Sequence, residues 1–198
     1  MADKLIPTPS QTVWPFFHLG MVRAEWADLT AGHPPSALGG EKIAIEGRVI
    51  DGDGAPVPDA IIELWQANAA GRYNHPDDRQ ADKPLDPHFR GFGRVATDPE
   101  GRFRVVTIKP GPVPGRGNAL QAPHINIALF ARGLLKHLFT RIYFADESGN
   151  ASDPLLTSIE DETARRTLLA QRIAASSPAL YRFDFVLQGE NETAFLDI

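Results

Sequence analysis

Two polar side chains within a short apolar segment are the first residues of this sequence that could do chemistry. In the segment 123–131, branched apolar residues alternate with other residue types, which predicts a β-strand with one buried face. His124 and Asn126 lie two positions apart on the opposite face. In a strand, this spacing can aim both side chains at one ligand.

A metal site needs more donors than this segment offers. The sequence contains no His-x-His, no Glu-x-x-His and no second histidine at ligand spacing from His124. A single strand histidine beside an asparagine is more often a hydrogen-bonded core group than a ligand. From the residues alone, we interpret His124 as structural and keep a metal ligand as the alternative.

The composition is that of a globular protein and argues against several kinds of partner. The 198 residues are 42% hydrophobic and 23% charged, which is enough to bury a substantial core. The net charge of −5 comes without a basic block, so we expect no nucleic acid partner. The start lacks a signal-peptide pattern, and no apolar run could span a membrane. Because cysteine is absent, disulfides and thiolate ligands are excluded, and we expect a cytoplasmic protein.

Short strands separated by turn signals dominate the rest of the sequence. Alternating apolar residues predict strands at 42–49, 60–65, 91–97, 102–108, 123–131, 141–144 and 181–189. The turn signature Asp98-Pro-Glu-Gly101 predicts that the third and fourth of these segments form a hairpin. Seven or more short strands predict a mainly β chain with a β-sandwich core.

One sizeable helix is predicted near residues 154–175. Asp153 is placed to cap this helix, and Pro154 suits its first turn. Acidic residues at 160–162 precede arginines at 165 and 166, as expected for a helix whose dipole is complemented by charge. The pattern therefore predicts a single helical segment within an otherwise β-rich chain.

The first 40 residues are expected to form an irregular arm that precedes a core at 41–198, with residues 1–198 forming one domain. Several prolines interrupt any long helix in the arm, and Gly39-Gly40 ends it. The aromatic stretch Trp14–His18 must be covered by a partner, by a ligand or by the core of the same chain. We favour a partner or a ligand and keep an arm folded on its own core as the alternative.

Several segments together resemble one enzyme family. These segments are Glu-Leu-Trp-Gln-Ala-Asn-Ala-Ala-Gly-Arg-Tyr73, Phe-Gly-Arg94, Ile-Lys-Pro-Gly-Pro112, Ala-Pro-His-Ile-Asn126 and Tyr-Arg-Phe-Asp184. In these segments, and in the same order, the chain is similar to the intradiol ring-cleaving dioxygenases. The similarity extends from Thr8 to the C-terminal strands. It implies an oxidoreductase that opens a catechol ring with O2.

The family resemblance also implies a metal site that is incomplete in this chain. In the family, two tyrosines and two histidines hold a non-haem ferric ion, and Tyr73 and His124 match one of each. Val113 and Asn126 stand where the other two ligands are expected, and Gln121 replaces an arginine that supports developing negative charge. Because valine has no donor and an amide is a poor substitute for imidazole, we predict no metal at this degenerate site. We also predict no catalytic residue in this chain alone.

These departures match family members that are built from two homologous chains, α and β, with the iron in β. The segments 8–15 and 129–133 resemble the α type. The resemblance therefore implies a homologous β partner that carries non-haem Fe(III), in an assembly of α–β protomers. It further implies a substrate pocket at the α–β interface. The residues that this chain would contribute to the pocket are Thr12, Trp14, Pro15 and Arg132.

The reaction implied by the resemblance is cleavage of 3,4-dihydroxybenzoate by O2 to 3-carboxy-cis,cis-muconate. The planar guanidinium of Arg132 suits an anionic carboxylate, and an exposed strand end is its alternative role. Tyr73 and His124 are expected to be hydrogen-bonded core groups. Two other functions stay open at this point: an autonomous dioxygenase that uses Tyr73 and His124 in an unusual metal site, and a non-catalytic β-sandwich binding module.

Overall fold

The computed structural model describes residues 7–14, 16–34, 38–115, 117, 119–173 and 176–197. The strands are β1 (Lys42–Ile50), β2 (Ile61–Trp65), β3 (Phe92–Ala96), β4 (Arg102–Ile108), β5 (Val113–Pro114), β6 (Leu120–Gln121), β7 (His124–Phe130), β8 (Leu138–Phe144), β9 (Leu169–Ile173), β10 (Ala179–Arg182) and β11 (Phe185–Val186). The α-helices are α1 (Phe17–Met21), α2 (Pro154–Ser158) and α3 (Glu162–Arg166). The prediction of a mainly β chain is confirmed.

Nine of the strands form one strongly curved, nearly closed sheet. Their order is β3-β2-β7-β8-β9-β10-β1, and β4 and β11 also pair with β1. Parallel pairing of β8 with β9 joins the half built on β2 and β7 to the half built on β1. The sandwich-like layers are therefore continuous through β9. Strands β5 and β6 form a separate two-stranded ribbon.

The two halves of the sheet enclose the main core. Ile43 and Ile45 from β1 share this core with Ile125, Ile127 and Leu129 from β7, and each of these side chains is at most 2% exposed. Burial of such a side chain contributes roughly 1.5–3 kcal/mol to folding. The alternation predicted for the segment 123–131 is thus correct, and its other face remains available for polar groups.

The predicted hairpin between the segments 91–97 and 102–108 is wrong, although its turn is present. The amide of Gly101 donates to the carbonyl of Asp98 at 2.9 Å. The strands on either side of the turn nevertheless pair with other neighbours, β3 with β2 and β4 with β1. The seven residues of β4 match the long strand β1 along their whole length, whereas β3 has only five residues. The turn therefore carries the chain from one half of the sheet to the other.

The single helix predicted near residues 154–175 is also wrong, because the chain forms α2, α3 and then β9 there. Asp153 caps α2 as predicted. Asp161 accepts a hydrogen bond from the amide of Thr163 at 2.8 Å and starts a second helix. Beyond α3, the carbonyl of Leu168 accepts from the amide of Tyr143 at 2.8 Å. This segment thus pairs with the free edge of β8 and joins the sheet as β9.

The predicted strand 181–189 is divided into β10 and β11. Between them the carbonyl of Phe183 approaches β1 at Gly47, where a Cβ atom would lie 1.7 Å from the Phe183 oxygen. Only glycine leaves room for this approach, so the backbone of β1 accommodates the interruption. Among the described residues, no helix combines the length and the apolar composition that crossing a membrane requires.

In its described residues, 7–14, 16–34 and 38–40, the arm is irregular, as predicted, apart from α1 and a 3-10 turn at Ala24–Ala27. Phe17 packs against Phe130, with ring centroids 6.2 Å apart. In contrast, Trp14 and Phe16 are 76% and 75% exposed. One side of the arm therefore covers the core of its own chain, and the other side leaves two aromatic rings uncovered.

Candidate functional site

The pairing of β7 with β8 brings polar side chains together at one end of the sheet. His124 lies opposite Tyr143, and Asn126 lies opposite Arg141. The Arg141 guanidinium donates through Nε to Oδ1 of Asn126 at 3.0 Å and through Nη1 to Oε1 of Gln121 at 2.6 Å. A cationic side chain therefore occupies the space between two of the predicted site positions.

The remaining predicted positions, Tyr73 and Val113, come from the loop after β2 and from strand β5. The Asn126 amide donates through Nδ2 to the hydroxyl oxygen of Tyr73 at 3.1 Å. The ring of Tyr73 stacks on Trp65, with centroids 5.6 Å apart. Val113 in β5 pairs with Gln121 in β6 and is buried. We call the resulting group the β7 cluster, and its members are Tyr73, Val113, Gln121, His124, Asn126, Arg141 and Tyr143.

His124 is held as a neutral group in this cluster. Its Nδ1 atom lies 2.8 Å from the carbonyl oxygen of Ala122, to which it donates, and its ring packs against Tyr143. Burial, and secondly the positive charge of Arg141, lower the pKa of His124 from 6.5 to about 4. The contacts are those of a hydrogen-bonded core histidine.

The free energy of unfolding is expected to depend on His124 between pH 6.5 and about 4. The unfolded chain takes up this proton near pH 6.5 and the folded chain only near pH 4, so acidification favours the unfolded chain within that window. Above the window, the imidazole is neutral in both states and contributes no pH dependence. Urea unfolding at pH 7 and pH 5 measures the effect. His124→Asn cannot titrate and is expected to lose less stability between these pH values; equal losses would contradict the assignment.

A buried carboxylate joins the β7 cluster to α2. The side chain of Asp153 is fully buried and accepts hydrogen bonds from the amide of Ala122 at 2.8 Å and from the hydroxyl of Tyr143 at 3.1 Å. It also accepts from the amides of Leu155 and Leu156 at 2.9 and 3.0 Å. Burial raises the pKa of Tyr143, which remains a neutral donor to this carboxylate.

The donors of the β7 cluster do not fit a ferric ion. Tyr73 offers a phenol oxygen and His124 a second ring nitrogen, but Val113 has no donor atom and the Asn126 amide is already bonded to Arg141. A guanidinium at this position also repels another cation, most strongly where water is excluded. In the described part of the chain, no three His, Asp or Glu side chains are grouped so that they could hold a metal ion.

An open cavity of about 520 Å³ adjoins the β7 cluster. Trp65 and Tyr73 form its aromatic wall, with His75, Arg79 and Val113 also in its lining. Of the predicted ligand positions, the cavity therefore reaches one phenol and one aliphatic side chain. Burial raises the pKa of the Tyr73 hydroxyl, which stays protonated at neutral pH.

The residues predicted to bind substrate lie at the opposite end of β7. This strand ends at Phe130, and Arg132 follows two residues later. Arg132 lies six positions after Asn126, a distance of roughly 20 Å in extended chain. The structure therefore does not bring the two predicted groups of residues into one site.

The arm runs beside Arg132. The hydroxyl oxygen of Thr12 accepts a hydrogen bond from the amide of Gly133 at 2.8 Å. Trp14 follows in the same segment and is exposed. Pro15, the fourth residue predicted to bind substrate, lies outside the described residues.

Asp59 holds the Arg132 side chain. Its Oδ2 atom lies 3.5 Å from Nη2 of Arg132, and its Oδ1 atom lies 3.5 Å from Nδ1 of His18 in α1. Asp59 has a φ of 62°, in the left-handed region that residues other than glycine seldom adopt. We call Thr12, Trp14, His18, Asp59 and Arg132 the arm edge.

Sequence reasoning missed Arg141 and Asp59. A signal for Arg141 was present, because Arg141 and Tyr143 share one face of the predicted strand 141–144, and antiparallel pairing with the segment 123–131 places that face beside Asn126. No local pattern marks Asp59, since its partners are distant in sequence and meet it only through the fold.

The fold is that of known ring-cleaving dioxygenases. The dioxygenase domain of a carbohydrate-binding fusion protein from Streptomyces sp. SirexAA-E superimposes with a TM-score of 0.60 at 24% identity, over 98% of this chain and 96% of that domain. Catechol 1,2-dioxygenase from Pseudomonas arvilla C-1 superimposes with a TM-score of 0.61 at 24% identity, over 83% of this chain and 56% of that enzyme.

Sequence comparison defines the family. The chain is 41% identical to the protocatechuate 3,4-dioxygenase alpha chain of Pseudomonas putida, with both chains covered in full. It is 43% identical to the alpha chain of Burkholderia cepacia, over 96% of this chain and 97% of the relative. It is 44% identical to the beta chain of Burkholderia cepacia, over 78% of this chain and 67% of the relative.

The curved β-sheet is that of the dioxygenase class, and a hydrogen-bonded cluster occupies the start of β7 in this chain. The family model described as Dioxygenase matches residues 16–189. The chain belongs to the intradiol dioxygenase family. The resemblance inferred from its sequence segments is confirmed.

Proposed function

We propose that this chain is the α-type subunit of a protocatechuate 3,4-dioxygenase and acts with a homologous β chain that carries the non-haem Fe(III). The reaction adds both atoms of O2 to 3,4-dihydroxybenzoate and opens the ring to give 3-carboxy-cis,cis-muconate. The main support is that Asn126 and Arg141 bond to each other where the family places metal ligands, while Arg132 at the arm edge remains about half exposed. End-to-end similarity to two alpha chains agrees with this assignment.

The contribution of this chain is to bind and orient the substrate at the interface. When bound in the partner, Fe(III) supplies Lewis-acid activation of the two catechol oxygens. Arg132 would hold the substrate carboxylate, because a guanidinium fork can donate two parallel hydrogen bonds to it and so fix the ring's orientation. Trp14 would supply an apolar wall that excludes water from the pocket. Thr12 would keep the arm beside Arg132.

The exposed groups of the arm edge are suited to an interface. Arg132 has five N–H donors, and its ion pair with Asp59 engages one nitrogen at 3.5 Å, so several donors remain for a ligand. The uncovered rings of Trp14 and Phe16 lie in the same arm. Aromatic residues of this kind are enriched where protein partners meet. We therefore propose that the β chain covers this part of the molecule.

Arg132→Ala is expected to raise KM for 3,4-dihydroxybenzoate by about 10- to 100-fold in the α–β complex, since charge-assisted hydrogen bonds contribute about 1.5–3 kcal/mol. The value of kcat is expected to change much less, because the guanidinium contacts the carboxylate in both ground and transition states. The measurement is steady-state O2 uptake by the chain coexpressed with an iron-bearing β chain. Catechol, which has no carboxylate, is the comparison substrate.

Arg102→Ala is a matched control, because Arg102 is an exposed arginine on β4. We expect this variant to keep the kinetics of the unmodified complex with both substrates. An unchanged KM in the Arg132→Ala complex would contradict the proposed role of Arg132. So would an equal rise in KM for catechol. Failure of the chain to form an active complex with any iron-bearing β chain would contradict the proposed function itself.

A further inference from the structure

We propose that Asp59 is a positioning residue that holds the Arg132 guanidinium and helix α1 in the arrangement that completes the substrate pocket. This inference rests on the proposed function of Arg132. Asp59 lies in the turn before β2, and its two carboxylate oxygens contact two different parts of the chain.

The carboxylate of Asp59 has one oxygen for each partner. Oδ2 lies 3.5 Å from Nη2 of Arg132, and Oδ1 lies 3.5 Å from Nδ1 of His18. The Nδ1 atom of His18 is buried and makes no hydrogen bond to any described residue. The Asp59 carboxylate, 3.5 Å away, is the polar group that faces it. One acidic side chain thus connects α1 of the arm to the arginine beyond the end of β7.

The backbone of Asp59 has an energetically unfavourable conformation. With a φ of 62°, it occupies the left-handed region, which aspartate tolerates better than most residues but still at a cost. The hydroxyl of Thr97 fixes the turn from both sides, accepting from the amide of Ala60 at 2.9 Å and donating to the carbonyl of Val57 at 2.8 Å. Strain that is maintained in this way is often associated with function.

Asp59 and Thr12 act from two sides of Arg132. The Thr12 hydroxyl attaches the arm to the amide of Gly133, and the Asp59 carboxylate forms an ion pair with Arg132 and contacts His18. A long arginine side chain that is about half exposed would otherwise sample several rotamers. Asp59 therefore restricts Arg132 to directions that leave its outer donors free for the substrate.

Asp59→Asn tests this role, because asparagine keeps the shape and tolerates the left-handed backbone while it removes the charge. In the α–β complex, we expect KM for 3,4-dihydroxybenzoate to rise roughly 2- to 5-fold, as for loss of a partly exposed ion pair. We expect kcat, and KM for catechol, to equal those of the unmodified complex within experimental error. Asp53→Asn, in the exposed turn after β1, is the matched control and is expected to be silent.

A double-mutant cycle with Arg132→Ala shows whether Asp59 acts through Arg132. We expect Asp59→Asn to have no further effect on KM when Arg132 is already alanine. Additive effects in the cycle would overturn the inference, as would an unchanged KM in the single variant. If Arg132→Ala itself leaves KM unchanged, the proposed function fails instead, so the two failures are distinguishable.

Two measurements separate positioning from a merely structural role. Asp59→Gly relieves the left-handed backbone and removes the carboxylate, so we expect a higher melting temperature together with the same rise in KM as Asp59→Asn. In the Asp59→Gly chain without a partner, we expect hydrogen exchange to be faster than in the unmodified chain at the amide of Val22, which donates to the carbonyl of His18. A stabilised Asp59→Gly chain with normal KM would overturn the inference, and so would unchanged exchange at Val22.

Discussion

A chain that carries only Val113→Tyr and Asn126→His is expected to bind little ferric iron, and addition of Arg141→Gln is expected to raise its iron affinity by about 10- to 100-fold. The two substitutions restore the missing donor types beside Tyr73 and His124. They do not remove the Arg141 guanidinium. In the unmodified chain this group lies 3.0 Å from the Asn126 side chain, which the new imidazole would replace. A neighbouring cation repels the ferric ion and so opposes metal binding, although it lowers the pKa of the nearby Tyr73 phenol.

Iron content and visible absorption of the purified chain, without any partner, measure this effect. The unmodified chain and Arg141→Gln alone are the controls, and both are expected to be colourless because Val113 and Asn126 remain. The triple variant is expected to show the red-brown colour of phenolate bound to ferric iron. Equal iron content in the double and triple variants would show that Arg141 does not limit binding. Stoichiometric iron in the unmodified chain would contradict the degenerate site.

Asp153→Ala is expected to lower the free energy of unfolding by about 4 kcal/mol, which is a large effect for a single substitution. The carboxylate accepts hydrogen bonds from three backbone amides and from the hydroxyl of Tyr143, in a site that excludes solvent. Its removal leaves these donors without partners, and each buried unpaired donor costs about 1–3 kcal/mol. Asp153→Asn keeps one acceptor oxygen and is expected to be less destabilising.

The matched control for Asp153 is Asp161→Ala at the start of α3. Asp161 also caps a helix, but it is exposed, and within the described part of the chain its side chain accepts one hydrogen bond, from Thr163. Its loss is expected to cost about 1 kcal/mol. Urea unfolding followed by circular dichroism compares the two variants. Similar losses would show that Asp153 contributes only as a helix cap and not as the connection between α2 and β7.

Local patterns predicted the parts of this fold that local forces determine. The alternation in the segment 123–131 identified β7 and its buried face correctly, since side-chain direction in a strand has a period of two residues. The capping role of Asp153 was also predictable from local sequence, because a helix cap contacts residues only two and three positions away. The family resemblance further predicts which residue types are missing from the ligand positions, and this remains a prediction.

Pairing partners and long-range contacts could not be predicted in this way. The turn at 98–101 is a genuine turn, but its sequence does not specify that β4 pairs with β1 instead of β3. The segment 169–173 has apolar residues that suit either a helix or a strand, and the free edge of β8 decides between them. The Asp59 contacts depend on three segments that only the folded chain brings together.

The length of β7 has a consequence for how such a chain can diverge. Asn126 of the β7 cluster and Arg132 of the arm edge lie roughly 20 Å apart along the extended chain, and effects of mutations at such separations are usually additive. Drift at positions 113, 121 and 126 is then limited by packing and hydrogen bonding, whereas under the proposed function drift at Arg132 is limited by the activity of the partner. With these roles, a duplicated subunit can lose its metal while it continues to serve a neighbour's catalysis.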